Sequence, residues 1–118
     1  MNQRWNIIFS RGGEYQETVS VGTWPTTYPA LSTATEWRLT VSQPDVAGFL
    51  VASSIGASPM ITLNGTKTVG TIIVPAATTA VMPLGSARYD FEIFFPSSVT
   101  KRLISLGAAQ VNTKAGAV

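Results

Sequence analysis

The sequence contains neither cysteine nor histidine, and only 12% of its 118 residues are charged. Without cysteine there is no disulfide framework and no thiolate metal site. Without histidine the commonest general base and the commonest metal ligand are missing, and the absent thiol removes the best nucleophile at neutral pH. Serine and threonine are abundant, yet no hydroxyl has an evident activator beside it, and Lys67 and Lys101 sit in no recognisable motif. These absences predict a protein that is not an enzyme, carries no cofactor or metal, and works by binding other proteins.

Charge is also dispersed. Eight basic and six acidic residues leave a net charge of +2, and Arg4, Arg11, Arg38, Lys67, Arg88, Lys101, Arg102 and Lys114 nowhere form a cluster longer than two. A nucleic-acid binder concentrates its basic residues, because phosphate neutralisation supplies most of its affinity, so no nucleic-acid partner is expected. Met1 to Asn6 lead into no apolar stretch of the kind a secretory signal needs. The most apolar segment, Thr71 to Leu84, is interrupted by Pro75 and Pro83 and falls short of the roughly 20 residues of a spanning helix. The expectation is a soluble protein without membrane insertion.

What the chain does have is apolar residues (45%), with three Trp, three Tyr and five Phe, enough for a packed core. A domain of this size buries roughly two-thirds of the surface of its unfolded chain. Residues 1–118 therefore read as one domain, with 112–118 a loose tail. Apolar and polar residues alternate in short runs, the mark of half-buried strands. Trp5, Ile7 and Phe9 share a face before the Gly12-Gly13 turn; Tyr15, Val19 and Val21 follow, with Glu17 as the one inward misfit. Gly22 to Ser32, with Pro25 and Pro29, reads as a loop.

Trp37, Leu39 and Val41 alternate with Glu36, Arg38, Thr40 and Ser42, and two brief strands are expected over Gly48 to Ala52 and Pro59 to Leu63. Asn64-Gly65 suits both positive-φ positions of a two-residue type I′ hairpin turn. Pro75 to Met82 is expected to hold a single helical turn. Ala87, Tyr89, Phe91, Ile93 and Phe95 form the strongest alternation, and Thr100 to Val111 gives a final strand. Seven or eight short strands with one helical turn predict an all-β, antiparallel, immunoglobulin-like β-sandwich.

Three features carry possible chemistry. Asp90 and Glu92 lie two apart, about 6.5 Å along one strand face, which suits a carboxylate pair or part of a hard-cation site, or simply a solvated strand face. Asn64-Gly65-Thr66 matches a glycosylation acceptor and Arg11-Gly12-Gly13 one unit of an RNA-binding tract, but each is equally the composition of a turn. Phe94 alternates outward beside inward Phe95, and Trp24 and Tyr28 lie in the proline-bearing loop. Exposed aromatics of this kind mark protein interfaces, unless the loop folds over the core and Phe94 is covered.

Arg11-Gly12, Trp37-Arg38-Leu39-Thr40, Thr78-Thr79-Ala80-Val81-Met82-Pro83-Leu84-Gly85, Arg88-Tyr89-Asp90-Phe91-Glu92 and Arg102-Leu103-Ile104-Ser105-Leu106-Gly107 follow one another across most of the chain. In that order they resemble a family of small bacteriophage virion proteins similar to the N-terminal domain of upper baseplate proteins. The resemblance implies a structural component of the virion, an assembly or adaptor module of the tail or baseplate that binds other virion proteins and forms homo-oligomers. The alternative it leaves open is a capsid decoration or surface-binding module that contacts capsid protein, host envelope or carbohydrate, with Trp24 and Tyr28 stacking on the ligand.

Overall fold

Strands form where the sequence alternates, because each alternating run places one side of its pleat on a common core. The computed structural model describes residues 6–21, 29–96 and 100–112, with the backbone alone over 100–106. In chain order the elements are β1 (Ile7–Ser10), β2 (Tyr15–Ser20), a 3-10 turn (Leu31–Thr33), β3 (Glu36–Gln43), β4 (Val46–Ser53), β5 (Ile61–Leu63), β6 (Val69–Val74), α1 (Ala76–Thr79), β7 (Gly85–Phe94) and β8 (Thr100–Asn112). One sheet runs β1-β8-β7-β3-β4 and the other β2-β6-β5. The expected two-sheet all-β architecture is present, as is the helical turn after Pro75. The pairing of β1 with β8 is parallel, an exception that alternation alone does not reveal. Strand β8 also reaches Asn112, the first residue of the expected tail; 113–118 lie outside the described residues.

The core lies between the two inner faces. Ile7, Phe9, Trp37, Leu39, Val41, Tyr89, Phe91 and Ile93 come from the larger sheet, and Val19, Ile61, Ile72 and Val74 from the smaller, all buried. The Trp37 indole meets the Phe91 ring edge-on with centroids 5.6 Å apart, a favoured aromatic geometry. Two glycines make room for the largest rings. A Cβ at Gly70 on β6 would lie 2.9 Å from Trp37 Cζ3, and one at Gly107 on β8 would lie 3.1 Å from the Tyr89 ring. Glu17 pairs with Ile72 and so points to the inner side, half-buried. It can do so because β2 is an edge strand, where an inward charge also discourages pairing with another chain.

The β5–β6 hairpin forms, with Ile61 opposite Ile72 and Leu63 opposite Gly70, but not through the expected two-residue turn. The turn runs from Asn64 to Thr68, and its left-handed residue is Lys67 (φ 57°) rather than Asn64 or Gly65. The Asn64 side chain is the cause. Its Oδ1 accepts hydrogen bonds from the N–H groups of Thr68 (2.8 Å) and Val69 (3.1 Å), and its Nδ2 donates to the Thr66 and Thr68 hydroxyls. Asparagine thus closes a wider loop from its first position, as asparagine side chains do when they imitate a backbone turn.

Candidate functional site

The outer face of the larger sheet carries the charge. Strand register places Glu36 opposite Phe94, Arg38 opposite Glu92, Thr40 opposite Asp90 and Ser42 opposite Arg88. Ser53 and Val51 of β4 extend the Arg38 and Thr40 rows. Phe94 is on this outer face as expected, half-buried, and the Arg38 guanidinium lies over its ring at 4.5 Å from the centroid. One side of the ring is therefore covered from within the same sheet by a cation–π contact. Arg38 in turn holds Glu36 in a two-point grip, Nε to Oε2 and Nη2 to Oε1, each 2.9 Å. The Ser53 hydroxyl donates to Glu36 Oε2 at 2.6 Å. Burial pushes the Glu36 carboxyl up, but the hydrogen bonds from Arg38 and Ser53 and the Arg38 charge outweigh it, so the carboxyl sits below its usual range. The hydrogen bond to Glu36 raises Arg38, against its own burial, and the charges of Glu36 and Glu92 add to the rise.

Trp24 and Tyr28, the other expected interface residues, lie outside the described residues. Asp90 and Glu92 do share a face, but their cross-strand partners differ: Glu92 faces Arg38, while Asp90 faces Thr40. Asp90 and Arg88 border a surface depression of about 350 Å³ with Ser42, Gln43 and Pro44. Among the described residues no group of three or more acidic side chains is placed to hold a metal ion, and no described helix is long and apolar enough to cross a membrane.

Arg11-Gly12-Gly13 is committed to the fold. The Arg11 guanidinium donates twice to the Ala80 carbonyl (3.2 and 3.0 Å), just past α1, where unsatisfied carbonyls attract a cation. Gly12 N–H donates to Thr79 Oγ1 (3.0 Å), and that hydroxyl donates to the Gly13 carbonyl (2.8 Å). Two segments of the motif series, far apart in sequence, are thereby joined through the fully buried Thr79.

The middle of the sequence, which supplies β4, β5, β6 and α1, is almost free of charge. From Val46 to Ala87 the only charged residue is Lys67, and its Nζ donates to the Ala34 carbonyl at 2.6 Å. The outward residues of the smaller sheet, Gln16, Thr18, Ser20, Thr62, Val69, Thr71 and Ile73, are all neutral. Seven large hydrophobic residues are exposed among the described residues, and six of them fall in the same segment: Val46, Val51, Ile55, Ile73, Val81 and Leu84. Reading the aromatic residues alone missed these aliphatic positions; the signal that could have found them is the long stretch with a single charge. Scattered exposed apolar side chains are ordinary, but their concentration in a segment with a single charge makes that segment suited to protein contact.

No protein-family model matches the chain, and no curated protein matches it.

Proposed function

We propose that the chain is a non-enzymatic building block of a bacteriophage particle, an adaptor of the tail or baseplate that binds other virion proteins and further copies of itself. The observation that carries the binding role is that six of the seven large hydrophobics exposed among the described residues fall between Val46 and Ala87, where the only charge is Lys67, and that the outward residues of the smaller sheet are all neutral. A domain kept apart from others in solution is protected by interspersed charge, which this segment lacks. The virion setting rests on the ordered motif series, and the docking of Arg11-Gly12 onto Thr79-Ala80 gives that order a structural reason.

An immunoglobulin-like arrangement fits the strand order. In that reading β2, β6 and β5 take the places of strands B, E and D, and β8, β7, β3 and β4 those of G, F, C and C′. Trp37 then stands on strand C against Phe91 of strand F, where antibody domains set a tryptophan against an inter-sheet disulfide. Such a module holds its shape without covalent staples and leaves its edges and ends for contacts.

Particles purified on a density gradient from cells producing the complete phage test the proposal. Peptides of this chain should co-purify with the major capsid protein at a fixed ratio, and changing Val81 and Leu84 to Asp should lower that ratio. A chain that stays in the soluble fraction and is missing from the particle band would overturn the reading.

A further inference from the structure

We infer that Asn64 is a site of spontaneous covalent modification: the loop from Asn64 to Thr68 promotes deamidation of Asn64 by the Gly65 nitrogen, faster in the folded protein than in the unfolded chain. The inference stands apart from the assembly reading. Of the four asparagines, Asn2, Asn6, Asn64 and Asn112, only Asn64 precedes a glycine. With no Cβ on Gly65, its nitrogen is open to the neighbouring carboxamide. Both residues are exposed, and nothing lies within 4 Å of the place a Cβ would take at Gly65. The Asn64 backbone is tied down at both ends: its N–H donates to the Val69 carbonyl (3.0 Å), and its carbonyl accepts the Lys67 N–H (3.1 Å). Among the described residues the Gly65 N–H has no hydrogen-bond partner, so solvent can take its proton.

In the first step the Gly65 nitrogen gives its proton to hydroxide and bonds to Asn64 Cγ, and the π pair of the carboxamide carbonyl moves onto Oδ1. Oδ1 already accepts the N–H groups of Thr68 (2.8 Å) and Val69 (3.1 Å), two fixed backbone donors arranged as in an oxyanion hole. Such bonds become roughly twice as strong when the oxygen turns anionic, so they favour the tetrahedral intermediate over the amide. When the pair returns, the Cγ–Nδ2 bond breaks, and the nitrogen needs one more proton to leave as ammonia. The Thr68 and Thr66 hydroxyls stand 3.1 and 3.3 Å from Nδ2 and 3.0 Å from each other. They accept from the amide, but a hydroxyl can turn to donate to the amine of the intermediate, and it regains its proton from water. Water then opens the five-membered imide at either carbonyl, leaving aspartate or isoaspartate at position 64. Either product brings a negative charge into a segment whose only charge is Lys67. In the aspartate, the oxygen that replaces Nδ2 accepts from the same two hydroxyls, so the turn is retained.

The test is mass spectrometry with peptide mapping of the complete chain, incubated in mildly alkaline buffer with and without denaturing guanidinium chloride. Asn64 should be converted about tenfold faster in the folded chain than in the unfolded one, the factor that about 1.4 kcal/mol of preferential stabilisation supplies. Thr66→Ala combined with Thr68→Val removes both hydroxyls and should bring the folded rate down toward the unfolded one, with the rate in denaturant unchanged and circular dichroism as the check on folding. Gly65→Ala, for whose methyl group there is room, should slow the reaction in both states. A folded chain that keeps its Asn64 amide as long as the unfolded chain, or longer, would overturn the inference, because the hydrogen bonds would then protect the amide. So would a folded double variant that deamidates as fast as the original. The comparison of the original chain in its two states decides the matter even where the double variant does not fold.

Discussion

Replacing Gly70 by alanine adds one methyl group where β6 packs against Trp37 of the opposite sheet. Its Cβ would stand 2.9 Å from Trp37 Cζ3, 3.0 Å from Cε3 and 3.1 Å from Leu63 Cδ2. Carbon atoms in favourable contact lie about 3.5–4.0 Å apart, so something must move by roughly half an ångström or more. The indole has little freedom to do so, because it is fully buried and has the Phe91 ring against it. Forcing extra volume into such a site costs about 1–3 kcal/mol, offset by about 0.4–1 kcal/mol from the reduced freedom of the unfolded chain. The net loss is about 1–2 kcal/mol, or roughly 4–8 °C in Tm for a domain of this size. Gly65→Ala is the matched control: nothing lies within 4 Å of its added Cβ, and its φ is not in the left-handed range. Thermal and urea denaturation of both variants measure the difference. If Gly70→Ala were as stable as Gly65→Ala, Trp37 would not pack over β6 and the facing of the two sheets would be wrong.

Phe91→Ala should cost about 3–5 kcal/mol in urea denaturation, because the ring is fully buried at the centre of β7; a loss below about 1 kcal/mol would mean that β7 shows its other face to the core. Thr79→Val keeps the shape and removes the hydroxyl shared by Gly12 N–H and the Gly13 carbonyl, and should destabilise by about 1–3 kcal/mol for the stranded Gly12 donor. No change in stability would show that water replaces the hydroxyl. The Glu36 carboxyl is held below its unfolded value, so the folded state binds its proton less readily than the unfolded state does. Its contribution is complete above the unfolded value of about 4.3 and is lost as pH falls through the lower folded value. Glu36→Gln should therefore flatten the acid limb of the stability curve, and an unchanged limb would place the acid sensitivity elsewhere.

The strands were legible because alternation and burial are the same fact seen twice: Tyr89, Phe91 and Ile93 point inward, and Arg88, Asp90 and Glu92 outward, as their order requires. What alternation could not supply was the partner of each strand. The parallel seating of β1 on β8 depends on where the chain returns, which local pattern does not encode. Asn64-Gly65 misled because the dipeptide rule considers backbone preference alone, whereas the Asn64 side chain bonds two N–H groups four and five residues on and settles a longer loop. Phe94 was placed on the correct face, but its cover, Arg38, comes from β3, and only the register of β3 with β7 brings them together. The weakly apolar stretch from Thr71 to Leu84 drew notice as a failed membrane segment. Its meaning changes once Ile73, Val81 and Leu84 are seen exposed toward one end of a long segment whose only charge is Lys67.

The central claim is that this domain binds through the neutral outer face of its smaller sheet and the exposed Val81 to Leu84 stretch, and an electron cryomicroscopy map of the intact particle, with the domain fitted, tests it most directly. Neighbouring subunits should lie against the outer face of the smaller sheet and Val81 to Leu84, with the Arg38, Asp90 and Glu92 face turned to solvent. A map in which neighbours cover the charged face while Ile73, Val81 and Leu84 remain bare would contradict it.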